Sequence, residues 1–299
     1  MAVAGKPAQR ALAYIRIARP DHWFKNVFML PGVLLAVYGD SQIVSVELAL
    51  RLLIAIVAVC LIASSYYVLN EVLDAKFDAL HPTKKYRPVP SGLIHIPTAY
   101  ALWLALAVVG LGLSFALGYP FFVCALALWV FSLIYNIPPI RAKDRMVLDV
   151  LVESVNNPLR LALGWYAVGS TALIPASLVS AFWMLGAFFM TVKRFAEYRL
   201  IGDPEKAAAY RASFRGYTEE RLLVASTFYA VAFGLCLGIF LIRYRLELLI
   251  VVPLIAGVIA WYIHLGMQDD SPTQYPERLY QERGLMLYLS VCVLIAIAA

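Results

Sequence analysis

Charge is scarce in this chain. Only 15% of its 299 residues are Asp, Glu, Lys or Arg, 62% are hydrophobic, and the mean hydropathy is +0.76. That excludes a soluble globule, because too few polar side chains exist to cover its surface. Cysteine is rare too. Cys60, Cys124, Cys236 and Cys292 all sit in apolar runs without paired spacing, which excludes a zinc motif or a disulfide framework and predicts inert buried thiols. His22, His81, His95 and His264 are scattered and form no metal-ligand pattern. Short alternating segments are missing, which excludes a β-barrel. Met1 to Arg19 has no long apolar core with a small-residue cleavage site, so a cleaved signal peptide is not expected. Internal repeats and low-complexity segments are absent. The net charge of +6 comes from bases dispersed among loops, as in a membrane protein and unlike a nucleic-acid binder.

What the chain does have is long apolar runs. Runs of roughly 20 residues read as membrane-spanning helices. Hydropathy gives about nine, at 24–39, 47–69, 97–117, 119–137, 147–168, 173–192, 221–242, 247–265 and 284–299. Gly39-Asp40-Ser41, Gly118-Tyr119-Pro120 and Gly169-Ser170-Thr171 mark tight turns between them. The expected fold is therefore all-α and polytopic, with residues 1–299 forming one integral membrane domain.

Lys and Arg fall on alternate loops. One set holds Lys6, Arg10, Arg16, Arg19 and Lys25, then Lys84, Lys85 and Arg87, then Arg141, Lys143 and Arg145. It continues with Lys193, Arg194, Arg199, Lys206, Arg211 and Arg215, and ends with Arg278 and Arg283. The other set is nearly bare, apart from Arg243 and Arg245. The asymmetry predicts an odd number of spans, a cytoplasmic N-terminus, long polar loops on the cytoplasmic side, and Ala299 facing outward.

One segment concentrates the charge. At the end of the second span stand Asn70, Asp74 and Asp78, four residues apart. A helix places them on one face with neighbours roughly 5–6 Å apart. Carboxylates that close repel unless a hard cation sits between them, and Mg2+ takes one or two carboxylates plus phosphate oxygens. Lys84, Lys85 and Arg87 follow and suit phosphate. Pro88, Pro90 and Gly92 then fix a particular backbone path, which a merely solvated loop would not need. The segment reads as a metal–diphosphate site at a membrane surface.

Three further constellations stand out. Asp149, Glu153, Asn156 and Arg160 repeat at helical spacing and predict a polar stripe along the fifth span. Ionisable groups at membrane depth usually face a polar cavity or one another, so the stripe reads as cavity lining or as a Glu153–Arg160 pair gluing helices together. Pro158 should kink this helix and free the carbonyl of Ser154. Lys193, Arg194 and Glu197 end the sixth span, either binding phosphate or setting topology and capping the helix. Before the first span, Trp23 reads as an interfacial anchor, with Lys25 and Asn26 placed to meet an anionic group.

Asn-x-x-x-Asp-x-x-x-Asp over 70–78, followed by His81-Pro82-x-Lys84-x-x-Arg87-Pro88, resembles the first signature of the UbiA superfamily of intramembrane transferases. The resemblance covers nearly the whole chain. It implies a nine-helix bundle around a central cavity with a cytoplasmic-side cap. Three details are similar to the decaprenyl-phosphate phosphoribosyltransferase branch: Arg19-Pro20-x-x-Trp23-x-Lys25-Asn26, the stretch from Tyr135 through Pro138, Arg141, Lys143 and Asp149 to Leu159-Arg160, and Lys193-Arg194-x-x-Glu197. Two departures stand: Asn70-Glu71 replaces the usual Asn-Asp opening, and Asn156-Asn157-Pro158 replaces a small, glycine-containing stretch. Aromatic-prenylating branches usually carry a second aspartate-rich motif before the fifth span. Asp144, Asp149 and Glu153 are less than a full set, which favours phosphoribosyl transfer.

The resemblance implies a Mg2+-dependent transfer of phosphoribose from phosphoribosyl diphosphate to a polyprenyl phosphate, releasing diphosphate. Asn70, Asp74 and Asp78 would hold the metal. Lys84, Arg87 and Lys143 would neutralise phosphate charge, and Lys25, Lys193 and Arg194 would hold a substrate phosphate. The partners are then a polyprenyl lipid, a diphosphate-bearing co-substrate and the bilayer of a bacterial inner membrane, with homo-oligomerisation left open. Two alternatives stand beside it: an aromatic, quinone-type prenyltransferase, and a non-enzymatic lipid-phosphate transporter.

Overall fold

In a computed structural model of the chain, the described residues are 7–39, 45–79 and 84–298. Lys6, Asp40, Ser41, the His81-Pro82-Thr83 stretch and Ala299 lie outside them. Among the described residues the regular elements are α- and 3-10 helices, with no strands. The α-helices are α1 (Pro7–Ile17), α2 (Leu30–Gly39), α3 (Val46–Asp78), α4 (Ile96–Ala116), α5 (Tyr119–Asn136), α6 (Leu148–Ser154), α7 (Asn156–Ala167), α8 (Ala176–Ile201), α9 (Pro204–Tyr210), α10 (Glu219–Tyr244), α11 (Val252–Gly266) and α12 (Arg283–Ala298).

Six stretches among the described residues are long and apolar enough to cross a membrane: α3, α4, α5, α8, α10, and Leu246–Gly266, in which a 3-10 turn runs into α11. They match six of the expected spans. The other three are built differently. The first is a 3-10 helix, Pro20–Met29, that passes into the short α2, where Pro31 removes a backbone donor at the junction. The last, α12, contains a shorter apolar stretch, Arg283–Ala296. The fifth is broken into α6 and α7.

That break corrects the expected stripe. Pro158 has no N–H to return to the carbonyl of Ser154. Nearby side chains compete for backbone as well: Asn156 Nδ2 donates to the Glu153 carbonyl at 2.8 Å, and Ser154 Oγ to that of Leu151 at 3.0 Å. The helix is interrupted at Val155, so Asp149, Glu153, Asn156 and Arg160 do not share one continuous helix face.

The backbone forms two compact units. One comprises Met1–Arg141 with Leu159–Ala172, the other Ala142–Pro158 with Leu173–Ala299. In the first, α3 is the spine. Ser45 caps its N-terminus by accepting from the Leu48 N–H at 3.1 Å. Its 33 residues make it about 50 Å long, well beyond a hydrocarbon core of ~30 Å, so one end must project past the apolar slab. Its middle packs with Met29, Phe121, Leu128 and Leu163. Here α7 meets the Met29–Gly32 turn backbone to backbone. A Cβ on Gly164 would fall on the Met29 carbonyl, and one on Gly32 on the Leu161 carbonyl. Small residues at such crossings let membrane helices approach closely. At the far end of α3, Arg51 donates to the carbonyls of Leu117 at 2.9 Å and Ala167 at 3.4 Å, satisfying orphan acceptors where α4 and α7 end.

In the second unit, Val150, Ala187, Phe188, Val192, Tyr229 and Tyr262 form the core. The connection from α8 to α10 has a small core of its own, from Phe195, Tyr198, Ala207, Phe214, Tyr217 and Leu222. Gly202, at φ +65, ends α8. Asp203 then caps α9, accepting from the Glu205 N–H at 2.9 Å and the Lys206 N–H at 3.1 Å. Those two bonds hold the exposed Asp203 carboxyl below its ordinary value. Thr218 caps α10.

Candidate active site

In the first unit, the projecting end of α3 carries the predicted acids. Asp74 Oδ1 accepts from Arg141 Nη2 at 2.9 Å, and Asp78 Oδ2 from Arg87 Nη1 at 2.6 Å. Each carboxylate thus takes its own arginine, from a different loop. Such charge-assisted bonds are among the stronger polar contacts in proteins. The Arg141 guanidinium also lies over the Phe77 ring, 5.5 Å from its centroid. Asn70 and Lys84 are half-buried in the same unit, one at the turn before Asp74 and the other in the 3-10 turn Lys84–Tyr86 that leads to Arg87.

Glu71, three residues before Asp74 and seven before Asp78, lies on the same side of α3 but has partners of its own. Only 1% of it is exposed; it accepts from the Val89 N–H at 3.0 Å and from Arg19 at 3.5 Å. It therefore ties the Arg87–Gly92 loop to α3, and through that loop sets where Arg87 can reach. Gly92, at φ +74, allows the turn.

The 3-10 helix Pro20–Met29 runs along α3 through a ladder of polar contacts. Its rungs on α3 are Cys60, Ser64, Tyr67 and Glu71, which follow a helical period. Asn26 Nδ2 reaches Cys60 Sγ at 3.1 Å, and Trp23 Nε1 donates to Ser64 Oγ at 3.0 Å. The cations of Arg19 and Lys25 lie 5.7 and 5.8 Å from the Tyr67 ring centroid. Asn26 Oδ1 in turn accepts from Arg160 Nε at 3.0 Å, a meeting made by the close approach of α7 at Gly164. Trp23 is thus both half-exposed, as an anchor would be, and bonded inward.

In the second unit, Asp149 is the centre of a buried network. Its carboxylate accepts from Arg194 Nε at 3.1 Å, Ser213 Oγ at 3.1 Å and Tyr217 Oη at 2.8 Å. Asp149 is 0% exposed and Arg194 is 3% exposed. Arg194 also donates to Glu197 at 3.1 Å, and Arg211 lies 3.8 Å from the same carboxylate. Burial, followed by the Asp149 charge, pushes the Tyr217 phenol up, so it remains a donor. Lys143 is buried, whereas Glu153 and Lys193 are half-buried.

Sequence reasoning expected Asn26, Arg160, Asp149 and Arg194, and the structure bonds them in pairs, Asn26 with Arg160 and Asp149 with Arg194. It did not assign site roles to Arg141, Glu71, Ser213 or Tyr217. Arg141 carries one local signal, its place three residues after Pro138 in a basic loop; the other three meet their partners only through tertiary contact.

Among the described residues no group of three or more His, Cys, Asp or Glu gathers to hold a metal. Asn70, Asp74 and Asp78 offer two carboxylates and an amide. This falls short of an all-protein cage but fits Mg2+, which completes its shell with water and phosphate oxygens. Asp74 and Asp78 are held by arginines that a diphosphate would attract, so the arrangement suits joint capture of an anion and a cation.

A sequence model of the UbiA prenyltransferase family matches residues 26–291. The chain is 32% identical over 241 residues to the decaprenyl-phosphate phosphoribosyltransferase of Mycolicibacterium smegmatis, covering 79% of this chain and 72% of that one. To the enzyme of the same name from Mycobacterium tuberculosis it is 31% identical over 242 residues, covering 79% and 76%. A UbiA homolog from Archaeoglobus fulgidus, solved bound to GPP and Mg2+, shares the fold at a TM-score of 0.71 and 21% identity, over 96% of this chain and 98% of that one. The chain belongs to the UbiA prenyltransferase family. It is an integral membrane transferase of that type.

Proposed function

We propose that this protein transfers phosphoribose from phosphoribosyl diphosphate to a polyprenyl phosphate and releases diphosphate, at the cytoplasmic face of a bacterial inner membrane. The observation that carries the reading is the pair of acid–arginine contacts at the projecting end of α3, Asp74 with Arg141 and Asp78 with Arg87. The names of the mycobacterial relatives support it. One family model running through both compact units supports reading them as a single transferase domain.

In the reaction, the bond between ribose C1 and the diphosphate oxygen breaks, and its electron pair leaves with diphosphate. A polyprenyl-phosphate oxygen forms the new bond to C1 from the opposite face. Arg87, Arg141 and Lys84 neutralise the departing phosphates in the first unit; in the second unit Lys143 suits a phosphate of the co-substrate. Asn70, Asp74 and Asp78 would hold Mg2+, which when bound supplies further charge neutralisation on diphosphate. Lys25, fixed by the polar ladder, suits a substrate phosphate in the first unit, and Lys193 is the corresponding candidate in the second. The work is positioning and charge stabilisation, and no covalent nucleophile is needed. Asp149 and Arg194 satisfy each other, so we assign them to holding the second unit's loops in place.

Purified protein given radiolabelled phosphoribosyl diphosphate, polyprenyl phosphate and Mg2+ should yield labelled lipid. Absence of labelled lipid, with product instead from a prenyl diphosphate and an aromatic acceptor, would overturn the choice in favour of prenyl transfer. Movement of polyprenyl phosphate across the bilayer that survives Asp74→Asn, with no diphosphate released, would favour a transporter.

A further inference from the structure

The segment 142–149 links a 3-10 turn at Lys143 to α6, and it is held in an unusual shape. Val147 sits at φ +70 and ψ −47, a region that β-branched residues rarely occupy. Such strain persists only where surrounding contacts over-determine it. The contacts come from the α8–α10 connection. The Val147 N–H donates to Tyr217 Oη at 2.8 Å, and that hydroxyl donates onward to Asp149 at 2.8 Å. Ser213 and Arg194 fill the other carboxylate oxygen. A separate contact lies beside these: Met146 packs so closely on Gly216 that a Cβ there would stand 2.5 Å from its sulfur. Two turns further tie the segment together, Arg145 N–H to the Ala142 carbonyl at 3.1 Å and Asp149 N–H to the Arg145 carbonyl at 3.0 Å.

We propose that Tyr217 is a positioning residue: by latching the Val147 amide to Asp149 it fixes the segment bearing Lys143, so the α8–α10 connection sets affinity for the phosphorylated co-substrate. The side chains of Tyr217 and Asp149 are spent on each other, on the Val147 N–H and on Ser213 and Arg194, so they act through the segment they hold. The choice of Lys143 as a phosphate group rests on the function proposed above.

The test uses the full-length protein in lipid nanodiscs, comparing wild type with Tyr217→Phe. Hydrogen exchange of the 142–150 segment should accelerate about tenfold or more at the Val147 amide. KM for phosphoribosyl diphosphate should rise about fivefold or more with kcat within about twofold, since ground-state placement and not chemistry is loosened. Adding Val147→Gly should recover at least about half of that loss, because glycine adopts positive φ without strain. If Tyr217→Phe yields no folded protein, Ser213→Ala removes one donor from Asp149 and should give the same pattern at smaller size. Unchanged exchange at Val147 overturns the proposal, and so does a joint fall in kcat and thermal stability at fixed KM. If the wild type does not turn over phosphoribosyl diphosphate, the functional reading fails by itself; affinity for inorganic diphosphate then replaces KM, and the exchange result still decides the latch.

Discussion

Asp74 and Glu71 stand three residues apart on α3 and should respond to substitution in opposite ways. Asp74→Ala removes a carboxylate that is itself 19% exposed, so water can take its place beside Arg141. It should cut turnover on the order of 100–1000-fold, as expected for loss of a charge-stabilising group, with detergent melting temperature nearly unchanged. Glu71→Ala instead strands the buried Val89 N–H at a site where the carboxylate is only 1% exposed. It should cost on the order of 3 kcal/mol, seen in chemical unfolding, with activity lost through the folded fraction. An Asp74→Ala protein that melts like Glu71→Ala would remove the acid from the site. At this scale the sequence was legible where chemistry follows local spacing. Asn70, Asp74 and Asp78 announce themselves at four-residue intervals. Glu71 and Tyr217 do not, since their partners lie 18 and 68 residues away and no period in the sequence points to them.

Among the elements, helices long enough to span were plain from hydropathy, because uninterrupted apolar runs have one cheap solution in a bilayer. The fifth span was misjudged as continuous. Pro158 signalled a kink, but the complete stop at Val155 also needed the Asn156 and Ser154 side chains to take up backbone carbonyls, which hydropathy does not weigh. The crossing of α7 with the Met29–Gly32 turn was likewise invisible, since a glycine at a close crossing looks like any other glycine. Gly164→Ala tests it. With the Met29 carbonyl in the way, the added methyl should destabilise by about 3 kcal/mol and break the Arg160–Asn26 bond. Intact thermal stability in that variant would show that the two backbones can part without consequence.

For the whole molecule, the distribution of Lys and Arg predicts which loops face the cytoplasm, and labelling can check it. Lys206 lies on α9 with 78% of its side chain exposed. Lys206→Cys should react with a membrane-impermeant maleimide in inverted vesicles and not in right-side-out ones; the reverse pattern would turn the topology over. The division into two units was not legible, because one of its three boundaries, between Pro158 and Leu159, falls inside what hydropathy treats as one span.

The length of α3 has a further consequence. Its apolar part, residues 46–69, covers about 36 Å, and the acidic end adds roughly 13 Å beyond it. Asn70, Asp74 and Asp78 therefore stand at a height fixed by how much of the rod the lipid swallows. Thin membranes would leave them wet, and thick ones would draw Asn70 into hydrocarbon or force the rod to lean. Reconstitution into phospholipids of increasing acyl length should give a rate that peaks and then declines, making the enzyme a gauge of bilayer thickness.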